Sequence, residues 1–333
     1  MKVKRIAIVG ATGAVGREFE RVLARRGFAG AEYTLLASPR SAGKSARWID
    51  RDLTVQELSA RAFEGVDVAL FSAGAAVSRE FAPLAVKAGA VVIDNSSAFR
   101  MDPQVPLVVP EVNPQAAANH RGILANPNCS TIILVTPLWP LHRANPAQRI
   151  VVSTYQAASG AGARAMAELE EQTRRVQRGE PAVPELFPEP CAFNVFSHNT
   201  PIGPDGFNVE ETKVAQETRK ILGDETLRVT ATCMRVPVLR AHLESVAIEF
   251  REPLPEGEAR RRLCAAPGVR VLDERAANRF PTPLKAAGQD EILVGRIRQD
   301  PTVAEQRGLQ MIVCGDQLLK GAALNAVQIM ELM

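Results

Sequence analysis

The start of the chain constrains its fold most strongly. Residues 4–9 form a short apolar run typical of a strand buried on both faces, and the glycine-rich segment 10–16 follows directly. A helical pattern then extends from Val15 to Arg26 and stops at Gly27. A strand, a glycine turn and a helix in this order open a dinucleotide-binding unit.

The glycines of this turn are spaced G-x-x-G-x-x-G rather than in the usual G-x-G-x-x-G fingerprint. The physical reason for glycine still applies, because a backbone without side chains can approach a pyrophosphate whose charge lies at the helix N-terminus. We therefore predict cofactor contacts at Gly10, Gly13 and Gly16. A plain glycine-rich turn is the alternative.

The residues after the second predicted strand, Glu32–Ala37, indicate which cofactor is preferred. An NAD enzyme carries an acidic residue at such a position, roughly 20 residues beyond the glycines, to bind the ribose 2′-hydroxyl. This chain has Ser38, Arg40 and Ser41 there instead. Because an arginine and two hydroxyl groups would bind a 2′-phosphate that an acid would repel, the sequence predicts NADP rather than NAD. A solvated basic loop is the alternative.

The order of the remaining elements predicts two domains of different kinds. Strands at Val66–Ser72 and Val91–Asp94, joined by a helical pattern at 78–88, predict an α/β domain with a parallel sheet. Beyond about residue 130 the strands come in runs, which predicts a mixed, largely antiparallel second sheet. Ligands of such parallel sheets bind at the carboxyl ends of the strands.

The domain boundary is predicted to follow residue 128. The first domain comprises residues 1–128, completed by a C-terminal helix at 316–333 that returns to pack on it. The second comprises residues 129–315. A chain of 333 residues is long enough for two such domains.

Charge and cysteine content narrow the range of partners. The net charge is +3 and the charged residues are interleaved, so no basic footprint for nucleic acid is formed. No apolar stretch is long enough to cross a bilayer, so no membrane partner is predicted. The five cysteines are odd in number, scattered and without metal-type spacing. We therefore predict no metal site, free thiols and a reducing cytoplasmic compartment.

One of these cysteines is placed as a nucleophile would be. Cys129 follows the turn residues Pro127 and Asn128 and precedes a long apolar run. A thiol at a helix N-terminus is activated because the unpaired N–H groups and the helix dipole stabilise its thiolate. The alternative is a buried cysteine that packs as a small hydrophobic residue.

The four histidines provide few candidates for a general base. His242 follows an apolar strand segment that contains Arg235, and a cation in such a strand needs an anionic partner such as a substrate carboxylate. A surface histidine is the alternative. Glu210 and Lys213 stand three apart on a predicted helix, which by itself indicates an ordinary surface ion pair.

Eight short motifs, in order along nearly the whole chain, resemble those of aspartate-semialdehyde dehydrogenase. They are Gly10–Gly16, Ala37–Lys44, Asp94–Arg100, Pro127–Thr131, Tyr155–Gly162, Glu210–Lys213, Arg235–Val238 with His242, and Gly321–Asn325. No single motif decides the matter, but the ordered set is specific.

The resemblance implies roles for individual residues. The implied catalytic residues are Cys129 as nucleophile, Gln156 as the residue that orients the thioacyl intermediate, and His242 as acid and base. The implied substrate contacts are Arg235 to the α-carboxylate, Glu210 to the amino group, and Arg100, Asn128 and Lys213 on the phosphate side. The implied cofactor contacts are Thr12, Gly13, Ala14, Val15, Arg40, Ser41, Ser159, Gly160 and Asn325.

The resemblance also implies fold and activity. The fold would be a Rossmann-type domain followed by an α+β catalytic and dimerisation domain, as in glyceraldehyde-3-phosphate dehydrogenase, and the chain would form a homodimer. The activity would be NADP-dependent reduction of L-aspartyl 4-phosphate to L-aspartate 4-semialdehyde and phosphate. Such a reaction serves the biosynthesis of lysine through diaminopimelate, and of threonine, methionine and isoleucine.

Two departures from the family pattern and two alternative functions remain. Pro39 stiffens the predicted 2′-phosphate loop, and the proline-rich region 181–199 is unusual. The chain could instead reduce another acyl phosphate, such as N-acetylglutamyl phosphate. It could also be a non-catalytic NADP-binding relative, although such a protein would need neither Cys129 nor His242.

Overall fold

The protein divides into two compact units, which are described separately. The structure, a computed structural model, describes residues 3–333, so the first two residues of the predicted first domain lie outside it. One unit comprises Met1–Asn128 with Ala322–Met333, and the other comprises Cys129–Gly321. Within residues 3–333 no helix is both long and apolar enough to cross a membrane.

The first unit is built around a parallel sheet of six strands in the order β5-β2-β1-β6-β7-β8. The strands are β1 (Arg5–Val9), β2 (Glu32–Ala37), β3 (Ser45–Trp48), β4 (Arg51–Thr54), β5 (Gln56–Glu57), β6 (Val68–Phe71), β7 (Val91–Asp94) and β8 (Ile123–Ala125). The helices are α1 (Ala14–Arg25), α2 (Ala75–Lys87) and the C-terminal helix Leu324–Glu331, with short 3₁₀ turns at 60–63 and 114–119.

The parallel sheet forms because its central strands are apolar on both faces. All four residues of β6 are buried, as are the last four of β1. Helices cover both faces of a parallel sheet, so such strands carry continuous rather than alternating apolar residues. The predicted ranges of β2 and β7 are matched to the residue, and the predicted α/β class is confirmed.

The C-terminal helix returns to the first unit, but it starts later than predicted. Arg26 forms an ion pair with Glu331, and Gln328 donates to Glu111 at 3.1 Å. The predicted start at residue 316 is wrong, because a π-helical turn at Leu319–Ala323 precedes the α-helix. Residues 316–321 belong to the second unit.

A small hairpin in the first unit was not predicted. Strands β3 and β4 pair in antiparallel register beside the main sheet. Trp48 is buried and its ring centroid lies 5.7 Å from that of Tyr33. The hairpin escapes prediction because the exposed positions around Trp48 carry charged residues without a clear alternating pattern.

The second unit contains a mixed sheet of seven strands in the order β10-β11-β9-β12-β15-β14-β13. The strands are β9 (Ala147–Gln156), β10 (Phe196–Ser197), β11 (Arg228–Arg235), β12 (His242–Phe250), β13 (Val269–Val271), β14 (Ile292–Gln299) and β15 (Gly308–Gly315). The helices are α3 (Cys129–His142), α4 (Ala163–Gln177), α5 (Val209–Leu222), α6 (Glu256–Cys264) and α7 (Pro283–Ala286), with 3₁₀ turns at 158–161 and 304–306.

One face of this sheet is buried, and that face carries several of the predicted site residues. Residues of β12 alternate, so that every second side chain from His242 to Phe250 is buried. Strands β9 and β11 run parallel and place Gln156 opposite Arg235 at their carboxyl ends. Strand β12 runs antiparallel to β9 and begins at that same end, with Leu243 opposite Tyr155. Register therefore brings three predicted site residues to one end of one face.

Candidate active site

Cys129 is the first residue of α3. Its thiol is half-buried and lies where the first-turn N–H groups and the positive end of the helix dipole favour an anion. The backbone passes close by at Gly321, where an added Cβ would lie 3.0 Å from the Cβ of Cys129. Glycine at 321 therefore keeps the space beside Cys129 open.

Other cysteines of the second unit are suited to packing. Cys191, Cys233 and Cys314 are buried, and burial raises the pKa of each thiol, that of Cys191 to about 11. A thiol in such surroundings stays protonated and is a poor nucleophile. Position at a helix start with partial exposure distinguishes Cys129 from these three.

His242 is fully buried, unlike the surface histidine considered as the alternative. Its Nδ1 accepts the Ala157 N–H at 3.0 Å, so the neutral ring carries its proton on Nε2. Burial, and then the charge of Arg235, lower the pKa of His242 to about 3. The ring is therefore neutral at pH 7 and presents an Nε2–H donor.

The Nε2 atom of His242 points toward Gly160. A Cβ at Gly160 would lie 3.2 Å from both Nε2 and Cε1 of the imidazole and 3.5 Å from Nη1 of Arg235. Among the described residues Nε2 has no hydrogen-bond partner. A buried donor without a partner is costly, which indicates that a ligand or water accepts a hydrogen bond from Nε2–H.

Gln156 is held between two other polar side chains. Its amide donates to Glu210 Oε1 at 3.3 Å, and its Oε1 accepts the Thr154 hydroxyl at 3.1 Å. Gln156 is 1% exposed. Its position is therefore fixed by the end of β9 and the start of α5.

Glu210 and Lys213 form an ion pair, but not an ordinary surface pair. Glu210 is 5% exposed, and its Oε2 lies 3.3 Å from Nζ of Lys213. Helix α5 starts with a capping box, in which Asn208 and Glu211 bond each other's backbone N–H groups. The cap fixes the first turn and so turns Glu210 inward toward Gln156.

A glutamine outside the predicted set links the loops of the site. Gln317 accepts the Ala241 N–H at 2.8 Å and donates to the Ser159 hydroxyl. Ala241, directly before His242, has a left-handed φ of 73°, which residues other than glycine rarely adopt. Gln317 thus anchors a strained residue beside the imidazole and ties it to the loop of Ser159 and Gly160.

The glycine turn of the first unit has the geometry that close packing of backbone requires. Gly10 has a φ of 87°, and a Cβ there would lie 2.5 Å from the Ser72 carbonyl oxygen. A Cβ on Gly16 would lie 2.4 Å from the Gly10 oxygen. Gly13 caps α1 with no side-chain hydrogen bond, so the first N–H groups of the helix face outward for an anion.

The residues around that turn and in the following loop are accessible. Thr12 is exposed, and Ala14 and Val15 are half-buried. Ser38 accepts the Ser41 N–H at 2.9 Å, which closes a turn that presents Arg40 to solvent. Among residues 3–333 no group hydrogen-bonds the Arg40 guanidinium. Its donors are available for a phosphate.

Three further predicted residues of the first unit are buried. Arg100 donates to the carbonyl oxygens of Asn126 at 2.9 Å and Asn95 at 2.7 Å. Asn325 donates to Val108 O and to the Asn126 side chain, and its contact with a cofactor stays a prediction. Asn128 is 6% exposed, and its phosphate-side role also stays a prediction.

Comparison with known proteins decides the family. Residues 5–120 match the family model described as semialdehyde dehydrogenase, NAD binding domain, and residues 138–320 match the semialdehyde dehydrogenase dimerisation domain. The aspartate-semialdehyde dehydrogenase of Synechocystis sp. is 54% identical over 99% of this chain and 97% of its own length. That of Bacillus subtilis is 46% identical over 98% and 96%.

This chain belongs to the aspartate-semialdehyde dehydrogenase family. The solved structure of aspartate semialdehyde dehydrogenase II from Vibrio cholerae, complexed with ASA, has a TM-score of 0.96 and 42% identity, with 100% of this chain and 98% of that chain covered. The predicted family, enzyme class and two-domain fold are confirmed. The first unit is a nicotinamide-dinucleotide-binding domain.

In this aspartate-semialdehyde dehydrogenase, the second unit brings together predicted site residues and also residues for which no site role was predicted. Gln156, Glu210, Arg235 and His242 are linked by register or direct contact. Sequence reasoning did not assign site roles to Gln317, Gly321 or His198. Gly321 lies within the motif Gly321–Asn325. Gln317 and His198 have no local signal, because the residues that they link to the site are far away in the chain.

Proposed function

We propose that the protein interconverts L-aspartyl 4-phosphate and L-aspartate 4-semialdehyde, with NADP and phosphate, through a thioacyl bond to Cys129. The observation that carries the proposal is a half-buried thiol at a helix start, in a unit that also holds a neutral buried His242 and a buried Arg235. A soft nucleophile, a hydrogen-bond donor to the oxyanion and an anion binder are the parts that this chemistry needs.

Cys129 and His242 have separate roles in the proposed reaction. The thiolate of Cys129 attacks the acyl carbon, phosphate leaves, and a thioester remains on sulfur. The nicotinamide cofactor, when bound, supplies hydride to the thioester carbon. The Nε2–H of His242 would donate a hydrogen bond to the resulting oxyanion, which re-forms the carbonyl and releases the aldehyde as the thiolate of Cys129 leaves. A neutral imidazole suits this role, because it stabilises the oxyanion without giving up its own proton to become an imidazolate.

The substrate contacts are proposed from the charges of the second unit. Arg235 is a buried cation that would bind the α-carboxylate, and Glu210 is a buried carboxylate that would face the amino group. Gln156, held by Glu210, would orient the thioacyl carbonyl. Lys213, Arg100 and Asn128 are proposed as phosphate-side groups from the family resemblance.

The finer identity of the cofactor is also a proposal. Arg40 is presented by a turn and has no hydrogen-bond partner among residues 3–333, which supports preference for NADP over NAD. Gly10, Gly13 and Gly16 with the uncapped start of α1 would hold the pyrophosphate, near Thr12, Ala14 and Val15. Ser38 and Ser41 would assist at the 2′-phosphate, and Ser159, Gly160 and Asn325 complete the proposed contacts.

Assembly and compartment follow from related observations. The match of residues 138–320 to a dimerisation domain supports a homodimer formed through the second unit. The absence of disulfides among the cysteines of residues 3–333 supports a reducing, cytoplasmic compartment. A stable monomer at micromolar concentration in light scattering would contradict the homodimer.

The decisive assay follows aldehyde oxidation that depends on both phosphate and NADP. We expect L-aspartate 4-semialdehyde to be oxidised with a far higher kcat/KM than N-acetylglutamate 5-semialdehyde, because Glu210 would have no charged partner on an acetylated amine. Equal efficiency on the two aldehydes would support the broader acyl-phosphate reductase. No turnover of either would support a non-catalytic relative.

A further inference from the structure

Arg235 is fixed by neutral groups. Its Nη1 donates to the Ala157 carbonyl at 2.7 Å, and its Nη2 donates to Asn199 Oδ1 at 3.3 Å and approaches Nε2 of His198 at 2.8 Å. The guanidinium carbon lies 5.3 Å from the centroid of the Phe187 ring. These contacts set the orientation of the guanidinium without cancelling its charge, which is left for a ligand.

The contact between Arg235 and His198 determines the tautomer of His198. A guanidinium has donors only, so Nε2 of His198 must be the acceptor and the ring proton must lie on Nδ1. Burial, opposed by the charge of Glu210 and assisted by the charges of Arg235 and Lys213, lowers the pKa of His198 to about 4. The ring is therefore neutral at pH 7 and can accept from Arg235.

The other side of His198 connects to the start of α5. Nδ1 lies 3.3 Å from Thr200 Oγ1, and that hydroxyl lies 3.5 Å from the Asn208 side chain and accepts the Glu210 N–H at 3.2 Å. Thr200 thus uses one donor and two acceptor positions, which completes its hydrogen bonding. His198 joins Arg235 to the helix turn that carries Glu210.

We propose that His198 is a positioning residue that orients Arg235 and thereby makes the site specific for substrates with an α-carboxylate. The inference rests on the proposed function, in which Arg235 binds that carboxylate. Both Nη2 hydrogens are taken by His198 and Asn199, so the guanidinium cannot rotate freely. Its Nε has no partner among the described residues, and Nη1 retains a second hydrogen.

This role also accounts for the proline-rich region 181–199. The region supplies Phe187, whose ring lies against the guanidinium, and His198 and Asn199, which both contact Nη2. The backbone N–H of His198 donates to the Cys233 carbonyl at 2.8 Å, which fixes the end of the region to β11. The region 181–199 thus provides side chains that hold the guanidinium of Arg235 in place.

Two amide substitutions separate the roles of the two ring nitrogens of His198. His198→Gln can keep an acceptor near the Nε2 position for Arg235, whereas His198→Asn is too short to reach it but can still donate to Thr200. The measurement is kcat/KM for L-aspartate 4-semialdehyde divided by kcat/KM for 3-aminopropanal, the same aldehyde without its carboxylate. We expect His198→Asn to lower this ratio about tenfold to a hundredfold, the loss expected for a hydrogen bond to a charged group.

We expect His198→Gln to hold the ratio within about threefold of wild type, the scatter of such context-dependent substitutions. His142 is the matched control, because it is a buried histidine of the same unit whose Nδ1 accepts the Ala147 N–H at 3.1 Å. His142→Asn should alter stability but not the ratio. Equal losses in the Asn and Gln variants of His198, or a loss in neither, would overturn the positioning role.

Arg235→Met separates failure of this inference from failure of the proposed function. If Arg235→Met collapses the ratio and His198→Asn leaves it intact, Arg235 binds the carboxylate and His198 does not position it. If Arg235→Met leaves the ratio intact, the assignment of Arg235 is wrong, and the role of His198 falls with it. Collapse in both variants, with the Gln variant preserved, supports both assignments.

Discussion

The two units offer different kinds of groups to a ligand. The first unit offers backbone, at a glycine turn and an uncapped helix start, together with one exposed arginine. The second unit offers buried side chains that would be charged or reactive, with Arg235, Glu210 and His242 at most 5% exposed. Backbone recognition is insensitive to side-chain protonation, whereas the second site depends on which protons its buried groups hold.

Substitution of Cys129 is the most direct test of this difference between the two units. If the second unit works through one activated thiol, Cys129→Ser should lower kcat by about a thousandfold or more, because a serine hydroxyl is far less acidic than a thiol. Cys264→Ser is the control, since Cys264 is a free and exposed cysteine of the same unit. Near-normal turnover by the Cys129 variant would exclude the thioacyl route.

The dependence of the first unit on backbone is tested by two glycines with nearly the same φ. Gly10 and Gly27 have φ values of 87° and 86°, but only at Gly10 would a Cβ meet another residue, at 2.5 Å from the Ser72 oxygen. We expect Gly27→Ala to cost about 1–2 kcal/mol of stability from its φ alone. Gly10→Ala should cost about 2–5 kcal/mol, because a clash is added to the strain.

Thermal unfolding of the two glycine variants gives the comparison, with NADP affinity as a second readout. Equal losses would mean that the close approach of Gly10 to Ser72 relaxes without cost. That result would weaken the view that the first unit depends on exact backbone contact.

The Arg40 side chain provides a further test of how the first unit binds its cofactor. Arg40→Ala should weaken NADP by about tenfold to a hundredfold and change NAD little, because only NADP offers a charged partner. Arg47→Ala is a matched control, since Arg47 is exposed on β3 and pairs with Asp52. Ser38→Asp should shift preference toward NAD. The test is the kcat/KM of each variant with NADP and with NAD. Equal weakening of both cofactors by Arg40→Ala would show that Arg40 does not bind the 2′-phosphate.

Glu244 tests how protonation governs the second unit. Its carboxyl is fully buried, neither oxygen has a partner among the described residues, and burial raises its pKa well above the usual value. The folded state therefore keeps a proton that the unfolded chain releases, so stability falls as pH rises above the unfolded pKa of Glu. The slope is about 1.4 kcal/mol per pH unit until the folded pKa is reached.

Glu244→Gln cannot ionise, so it should remove this slope. We expect the variant to gain stability over wild type progressively from about pH 5 to pH 7, with the difference vanishing below about pH 4. Denaturant unfolding at several pH values measures it. Parallel stability curves for the two proteins would show that Glu244 is ionised and paired in the folded state.

Local pattern predicted the elements that are built from contiguous residues. Strands β2 and β7 and helix α5 with its capping box follow from apolar runs and cap residues that lie next to one another in the chain. The start of α3 at Cys129 follows from the turn that precedes it. The strand–glycine–helix opening likewise carries its ligand chemistry in adjacent residues.

Only the tertiary structure decided the character of the second site. Register on β9, β11 and β12 brings Gln156, Arg235 and His242 together, and nothing in their spacing along the chain encodes that register. The full burial of His242, its Nε2–H tautomer and the contact of His198 with Arg235 arise from the same assembly. Desolvation and hydrogen-bond partners set the state of a titratable group, and both depend on residues that are distant in sequence.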